Sequence, residues 1–208
     1  MIKSNTLTVF GMVLVVSILF QFGCGSTKPS RFYVLTPITD PEAGSVQSGG
    51  HSDISVGIGI LKFPDHLLRS QIAIQTGSNK LDYAEYDRWA EPLNDNFARV
   101  MAENLSKMIP TESVYVYPWK TTAKVHYQVN FEVMQFSQGP DGSVTLIVFW
   151  SIFDNATAEQ ILRKKTTLSQ PGPGSAPVNY GSVVAVMSRL VEELSLEVVA
   201  ELKRISAR

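Results

Sequence analysis

The side chains that could do chemistry are few and scattered. The chain carries one cysteine, Cys24, and three histidines, His51, His66 and His126, none with a partner at a metal-ligand spacing such as H-x-x-x-H. No serine stands in a G-x-S-x-G elbow, so the nucleophile of a hydrolase is not marked. Gly57-Ile58-Gly59-Ile60-Leu61-Lys62 opens like a dinucleotide fingerprint, but it lacks the third glycine and falls inside a strand pattern. Asp82, Glu85, Asp87 and Glu91 form an acidic run interleaved with Tyr83, Tyr86 and Trp89. A calcium loop would need a glycine and a fixed ligand spacing that this run lacks, so it is expected to be a solvated or interface loop. His126 falls on the polar face of a strand pattern and reads as a surface histidine. None of these residues supports an active site, and no cofactor is expected.

Composition narrows the classes further. The chain has 208 residues, 44% hydrophobic and 18% charged, with 18 basic and 19 acidic side chains. That suits one ordinary domain with a real core and excludes a disordered chain. A net charge of -1 supplies no field for holding nucleic acid. A single cysteine excludes a disulfide framework.

The apolar residues are unevenly spread. Residues 1–23 hold 14 of them with one charge, Lys3. The apolar stretch from Leu7 to Phe22 is 16 residues long, short for a membrane span of roughly 20 and right for a secretory leader. Cys24 follows Gly23 where cleavage is expected, and this junction resembles the bacterial lipoprotein box despite Gln21 at a position that is normally aliphatic. Residues 1–23 are therefore expected to be a lipoprotein signal peptide and 24–30 an acylated tether. Acyl groups on Cys24 would hold the chain at the bilayer, since two or three chains anchor stably where one is marginal.

The elements behind the tether form one domain, residues 31–208. Residues 124–132 alternate Val125, Tyr127, Val129 and Phe131 against polar neighbours, a strand with one buried face. Residues 54–62 alternate Ile54, Val56, Ile58 and Ile60 against Ser55, Gly57 and Gly59, so something should pack closely over the bare glycine face. Residues 144–153 are apolar on both faces, which suits a central or covered strand. Weaker strand patterns occupy 32–36, 71–76, 80–84, 114–117 and 160–168, and Pro140-Asp141-Gly142 reads as a hairpin turn. Residues 36–53 and 169–178 look irregular. One helix starts after Pro92 and runs to about Ile109. A second runs from about Tyr180 to Ile205, with Glu192, Glu193, Glu197 and Glu201 on its wet side. The expected fold class is α+β: a single domain with a mixed, mostly antiparallel sheet and two amphipathic helices packed on one face.

Residues 63–108 carry the most informative pattern. Pro64-Asp65 leads to Arg69-x-Gln71-Ile72, a turn at Gly77, and then Asp87-Arg88-Trp89-Ala90-Glu91-Pro92-Leu93. With Cys24, Tyr33-x-Leu35 and the closing helix, the chain is similar to the PqiC/YmbA-type intermembrane-transport lipoproteins, also called ABC-type transport auxiliary lipoproteins, over nearly all of 24–208. The resemblance implies a periplasmic, non-enzymatic subunit anchored to the inner leaflet of the outer membrane. It would dock a membrane-spanning MCE-domain protein that carries lipids or other hydrophobic molecules, together with its inner-membrane partner. A homo-oligomeric ring and a contribution to envelope integrity are also implied. No catalytic residues come with the resemblance. The expected partner-binding residues are Trp89, Tyr86, Tyr83, Glu91 and Arg69, taken as an exposed aromatic and charged surface. A rival reading is a lipid-binding carrier with an apolar pocket between sheet and helices, lined by Gly57, Gly59 and residues 144–153. A third is a structural envelope lipoprotein without a transport role.

Overall fold

The computed structural model describes residues 28–39, 54–109, 111, 113–120, 122–174 and 178–207. Cys24, the expected leader and most of the irregular stretch 36–53 lie outside the described residues. In chain order the elements are β1 (Arg31–Tyr33), β2 (Val56–Lys62), β3 (Gln71–Gly77), β4 (Lys80–Trp89), α1 (Leu93–Met108), β5 (Val114–Val116), β6 (Tyr127–Gln138), β7 (Ser143–Asp154), β8 (Gln160–Pro171) and α2 (Tyr180–Ser206).

The strands form one eight-stranded mixed sheet. Its long pairings, β3–β4, β6–β7 and β7–β8, are antiparallel. Four shorter ones, β1–β4, β2–β5, β2–β6 and β3–β6, are parallel. One flank of β6 is taken by β7; the other is shared by β2 along Tyr127–Glu132 and by β3 at Gln138. Both helices lie on one face and bury a single core against it.

The hydrophobic periods account for these faces. In β7 the even residues Val144, Leu146, Val148, Trp150 and Ile152 are buried under the helices, while Ile147, Phe149 and Phe153 are half-exposed on the opposite face. Phe97 of α1 stacks edge-on against Phe63, Phe131 and Phe136 with centroids 5.5, 5.9 and 6.0 Å apart, an arrangement aromatic rings favour. α2 buries Val184, Met187, Val191, Leu194, Val198 and Leu202, and Asn179 caps it by accepting from the Ser182 amide at 3.1 Å.

Several boundaries differ from the sequence pattern, each for a physical reason. β6 starts at Tyr127 because the His126 amide turns to Ser55 instead of a strand. β6 then continues to Gln138 through a bulge that inserts Met134 between Val133 and Gln135, moving the buried set from odd to even and leaving Met134 51% exposed. A similar shift between Ile58 and Leu61 turns Ile60 outward, 52% exposed, although alternation places it beside Ile58. β8 runs on to Pro171, so of the described part of 169–178 only residues 172–174 and 178 are irregular. Glu193, Glu197 and Glu201 are half-buried rather than wet: they face alternate residues of β8, where Lys164 lies 3.2 Å from Glu197 and 3.9 Å from Glu201.

Candidate functional site

The N-terminal end of the described chain is held by one buried carboxylate. Asp87, 3% exposed, accepts from Arg31 Nη2 and from the Tyr33 hydroxyl, both at 2.7 Å. This pins β1 along the end of β4, where Phe32 lies in register with Arg88. The hydrogen bond to Asp87, then its charge, raises the Arg31 guanidinium above its ordinary value. Burial, then the same hydrogen bond, raises the Tyr33 phenol.

The strand expected over 32–36 ends at Tyr33, and the reason is chemical. The next amides are taken by helix side chains: Leu35 by Asn96 at 2.6 Å, Thr36 by Ser188 at 3.1 Å and Ile38 by Asn104 at 2.9 Å. Lys107 Nζ donates to the Ile38 carbonyl at 2.8 Å. Residues 35–38 therefore form a strap across α1 and α2, with Leu35 buried beneath it. Asn96 and Asn104, wholly buried in an otherwise apolar stripe, are the signal in the sequence for this strap.

The expected partner-binding residues do not form one exposed patch. The acidic run is not a loop: Asp82 to Trp89 belongs to β4, and a register shift of several residues against β3 lets its burial depart from simple alternation. Trp89 is 6% exposed and packs in the core, so it has no indole face to offer a partner; its amide donates to Ser70 O at 2.7 Å. Arg69 and Tyr83 do come together, with the guanidinium 4.9 Å from the ring centroid, a cation–π contact. Tyr86 is half-exposed, and its phenol is raised chiefly by a hydrogen bond to Glu85. Glu91 stands apart, two residues before α1, paired at 2.6 Å with Arg99 of that helix.

Among the described residues, Ser55 and His126 make a pairing that resembles a nucleophile and its base. Ser55 Oγ lies 2.9 Å from His126 Nδ1, but the Ser55 amide also donates to that nitrogen at 3.1 Å. The Ser55 hydroxyl donates to the Lys124 carbonyl and accepts from the His126 amide at 3.0 Å. A buried hydroxyl whose proton and lone pair are both taken by backbone is a corner brace, not a nucleophile. Among the described residues no group of three or more His, Cys, Asp and Glu side chains could hold a metal, and no helix is long and apolar enough to cross a membrane.

The glycine face of β2 is filled as expected. A Cβ on Gly57 would come within 2.8 Å of the Trp119 ring, and one on Gly59 would strike Asn130 Oδ1 and Gln128. Sequence reasoning missed a groove of about 600 Å³ at this edge, lined by Gly59, Ile60, Leu61, Ala98, Val116 and Tyr117, with Asp95 and Arg99 at its rim. Ile60 and Tyr117 reach it only because β2 slips register and β5 ends the sheet.

The fold is a single α+β domain with residues 35–38 strapped to both helices and an open apolar groove at one sheet edge. The chain belongs to the family of ABC-type transport auxiliary lipoprotein components, whose model matches residues 33–199. That family is defined by an auxiliary role in transport, not by a reaction. Its curated relatives include the intermembrane transport lipoprotein PqiC of Escherichia coli (strain K12), 24% identical over 199 residues, 93% of this chain and 97% of that one. PqiC of Shigella flexneri matches equally, at 24% identity over the same shares. Two solved structures share the fold. One is protein XCC0632 from Xanthomonas campestris, with a TM-score of 0.68 at 11% identity, covering 86% of this chain and 100% of that one. The other is an uncharacterized protein with a TM-score of 0.67 at 17% identity, covering 84% and 99%.

Proposed function

We propose that the chain is the outer-membrane lipoprotein subunit of an intermembrane transport system for lipids or other hydrophobic molecules. Residues 1–23 are its signal peptide, Cys24 is its acylated residue and 31–208 its docking domain. The domain faces the periplasm and receives a membrane-spanning MCE-domain protein, assembling as a homo-oligomeric ring, while the inner-membrane partner supplies the energy. Envelope integrity follows from that traffic. The observation that carries this reading is the match to an intermembrane transport lipoprotein over 93% of the chain. Arg69, Tyr83, Tyr86 and Glu91 are its partner-contact residues, whereas Trp89 supports them from the core.

Metabolic labelling with palmitate marks the wild-type chain and not Cys24→Ser. The labelled chain, recovered from the outer-membrane fraction, co-purifies with an MCE-domain protein. Arg69→Glu combined with Tyr86→Ala loses that partner while circular dichroism stays unchanged. An unlabelled wild-type chain sinks the anchor; a partner retained by the double variant sinks the contact surface.

A second reading, a lipid carrier, is favoured by the apolar groove beside Ile60 and Tyr117 rather than by a pocket behind residues 144–153, whose inward side chains are packed. Native mass spectrometry of the isolated chain tests it: a phospholipid lost on Ala98→Trp supports a carrier, and a bare chain removes it.

A further inference from the structure

Cys24 lies seven residues before Arg31, and the tether between them spans at most about 25 Å fully extended. A domain of this length has a radius of gyration of about 16 Å, so the tether is shorter than the domain is wide. The strap beyond β1 is fixed to α1 and α2, so the domain cannot pay out more chain without breaking the bonds to Asn96, Ser188 and Asn104. The β1 end must therefore be the membrane-facing end.

That end carries the chemistry of a bilayer surface. Arg31 and Tyr33 turn inward to Asp87, which directs Phe32 and Val34 outward, 64% and 40% exposed. Lys28 is exposed just before them, and Arg88 stands in register with Phe32, its buried Nε without a hydrogen-bond partner. An apolar pair flanked by cations fits the boundary between phospholipid headgroups and acyl chains.

We propose that β1 and the residue after it form a second membrane contact, in which Phe32 and Val34 seat the domain in the headgroup–acyl boundary of the leaflet that holds Cys24. The inference rests on the lipoprotein reading above. One acylated residue then fixes the position of the domain, and β1 fixes its orientation.

The full, acylated chain is reconstituted in vesicles of phosphatidylethanolamine and phosphatidylglycerol. Acylation consumes the native thiol, so Phe32→Cys or Val34→Cys offers a unique site for a nitrobenzoxadiazole probe; Met134→Cys and Leu196→Cys are exposed controls elsewhere in the fold. Probes at 32 and 34 are expected to shift to the blue. Lipids spin-labelled near the headgroup end of the acyl chain should quench them several-fold more than the controls. Equal quenching at all four positions, with intact mass spectrometry showing the acyl groups in place, overturns the seating and leaves the anchor standing. A blue shift without lipid quenching also overturns it, since a protein surface then covers β1. A chain that carries no acyl groups and floats free of the vesicles overturns both.

Discussion

The amide of Leu35 donates to Asn96 Oδ1 across 2.6 Å, and the Asn96 side-chain amide points back to the Leu35 carbonyl at 3.4 Å. A helix side chain thus takes the place of a neighbouring strand, satisfying both backbone groups of a buried residue that has left the sheet. This relationship explains why β1 is so short and why residues 35–38 are held to the helices.

Asn96→Ala should cost about 1–3 kcal/mol, because it orphans a buried amide and carbonyl. Urea unfolding reads the loss, and hydrogen exchange should show the amides of Leu35, Thr36 and Ile38 exchanging faster together. Unchanged protection at Leu35 would mean that the strap is not held by Asn96.

Trp89 and Tyr86 should part company when each is cut to alanine. Trp89→Ala removes a buried indole and is expected to destabilise the fold by about 3–5 kcal/mol. Tyr86→Ala, at a half-exposed position, should cost a small fraction of that. Equal unfolding midpoints for the two variants would contradict the burial of Trp89.

Gly57→Ala forces a methyl group to within 2.8 Å of the Trp119 ring, which must move. The expected cost is about 1–3 kcal/mol, as for other overpacked sites. A changed Trp119 environment should accompany it in near-ultraviolet circular dichroism. Full stability with an unchanged spectrum would show that the ring does not close over this glycine.

Alkali should loosen the β1 end. Burial and the bond to Asp87 raise Tyr33, and burial with the nearby carboxylates raises Tyr180, so both phenols ionise more readily in the unfolded chain. Their contribution is complete below the ordinary phenol value of 10.0 and is lost as pH rises through the higher folded values. Stability should therefore fall above that point. Tyr33→Phe should be less stable near neutrality, having left Asp87 one donor short, yet show a shallower alkaline decline. Parallel declines in the wild type and Tyr33→Phe would remove Tyr33 as a cause.

Much of this architecture is local and can be read from the residues. Alternation in 124–132 and 144–153, the three- and four-residue steps of 180–205, Pro92 before a helix and Asp141-Gly142 in a turn each depend on neighbours within a few positions. The family resemblance likewise lies in short motifs, and so does the expectation that Cys24 sets the location. What tertiary structure alone decided is where the period breaks. The bulge at Met134, the outward turn of Ile60 and the extension of β4 over Glu85 to Trp89 arise from pairing with residues distant in sequence. Those pairings buried Trp89, left Tyr86 half-open and gave Glu197 to β8 instead of water. A side chain's face is set by its own strand period only until a partner strand imposes a different register, and that register is fixed by the whole core.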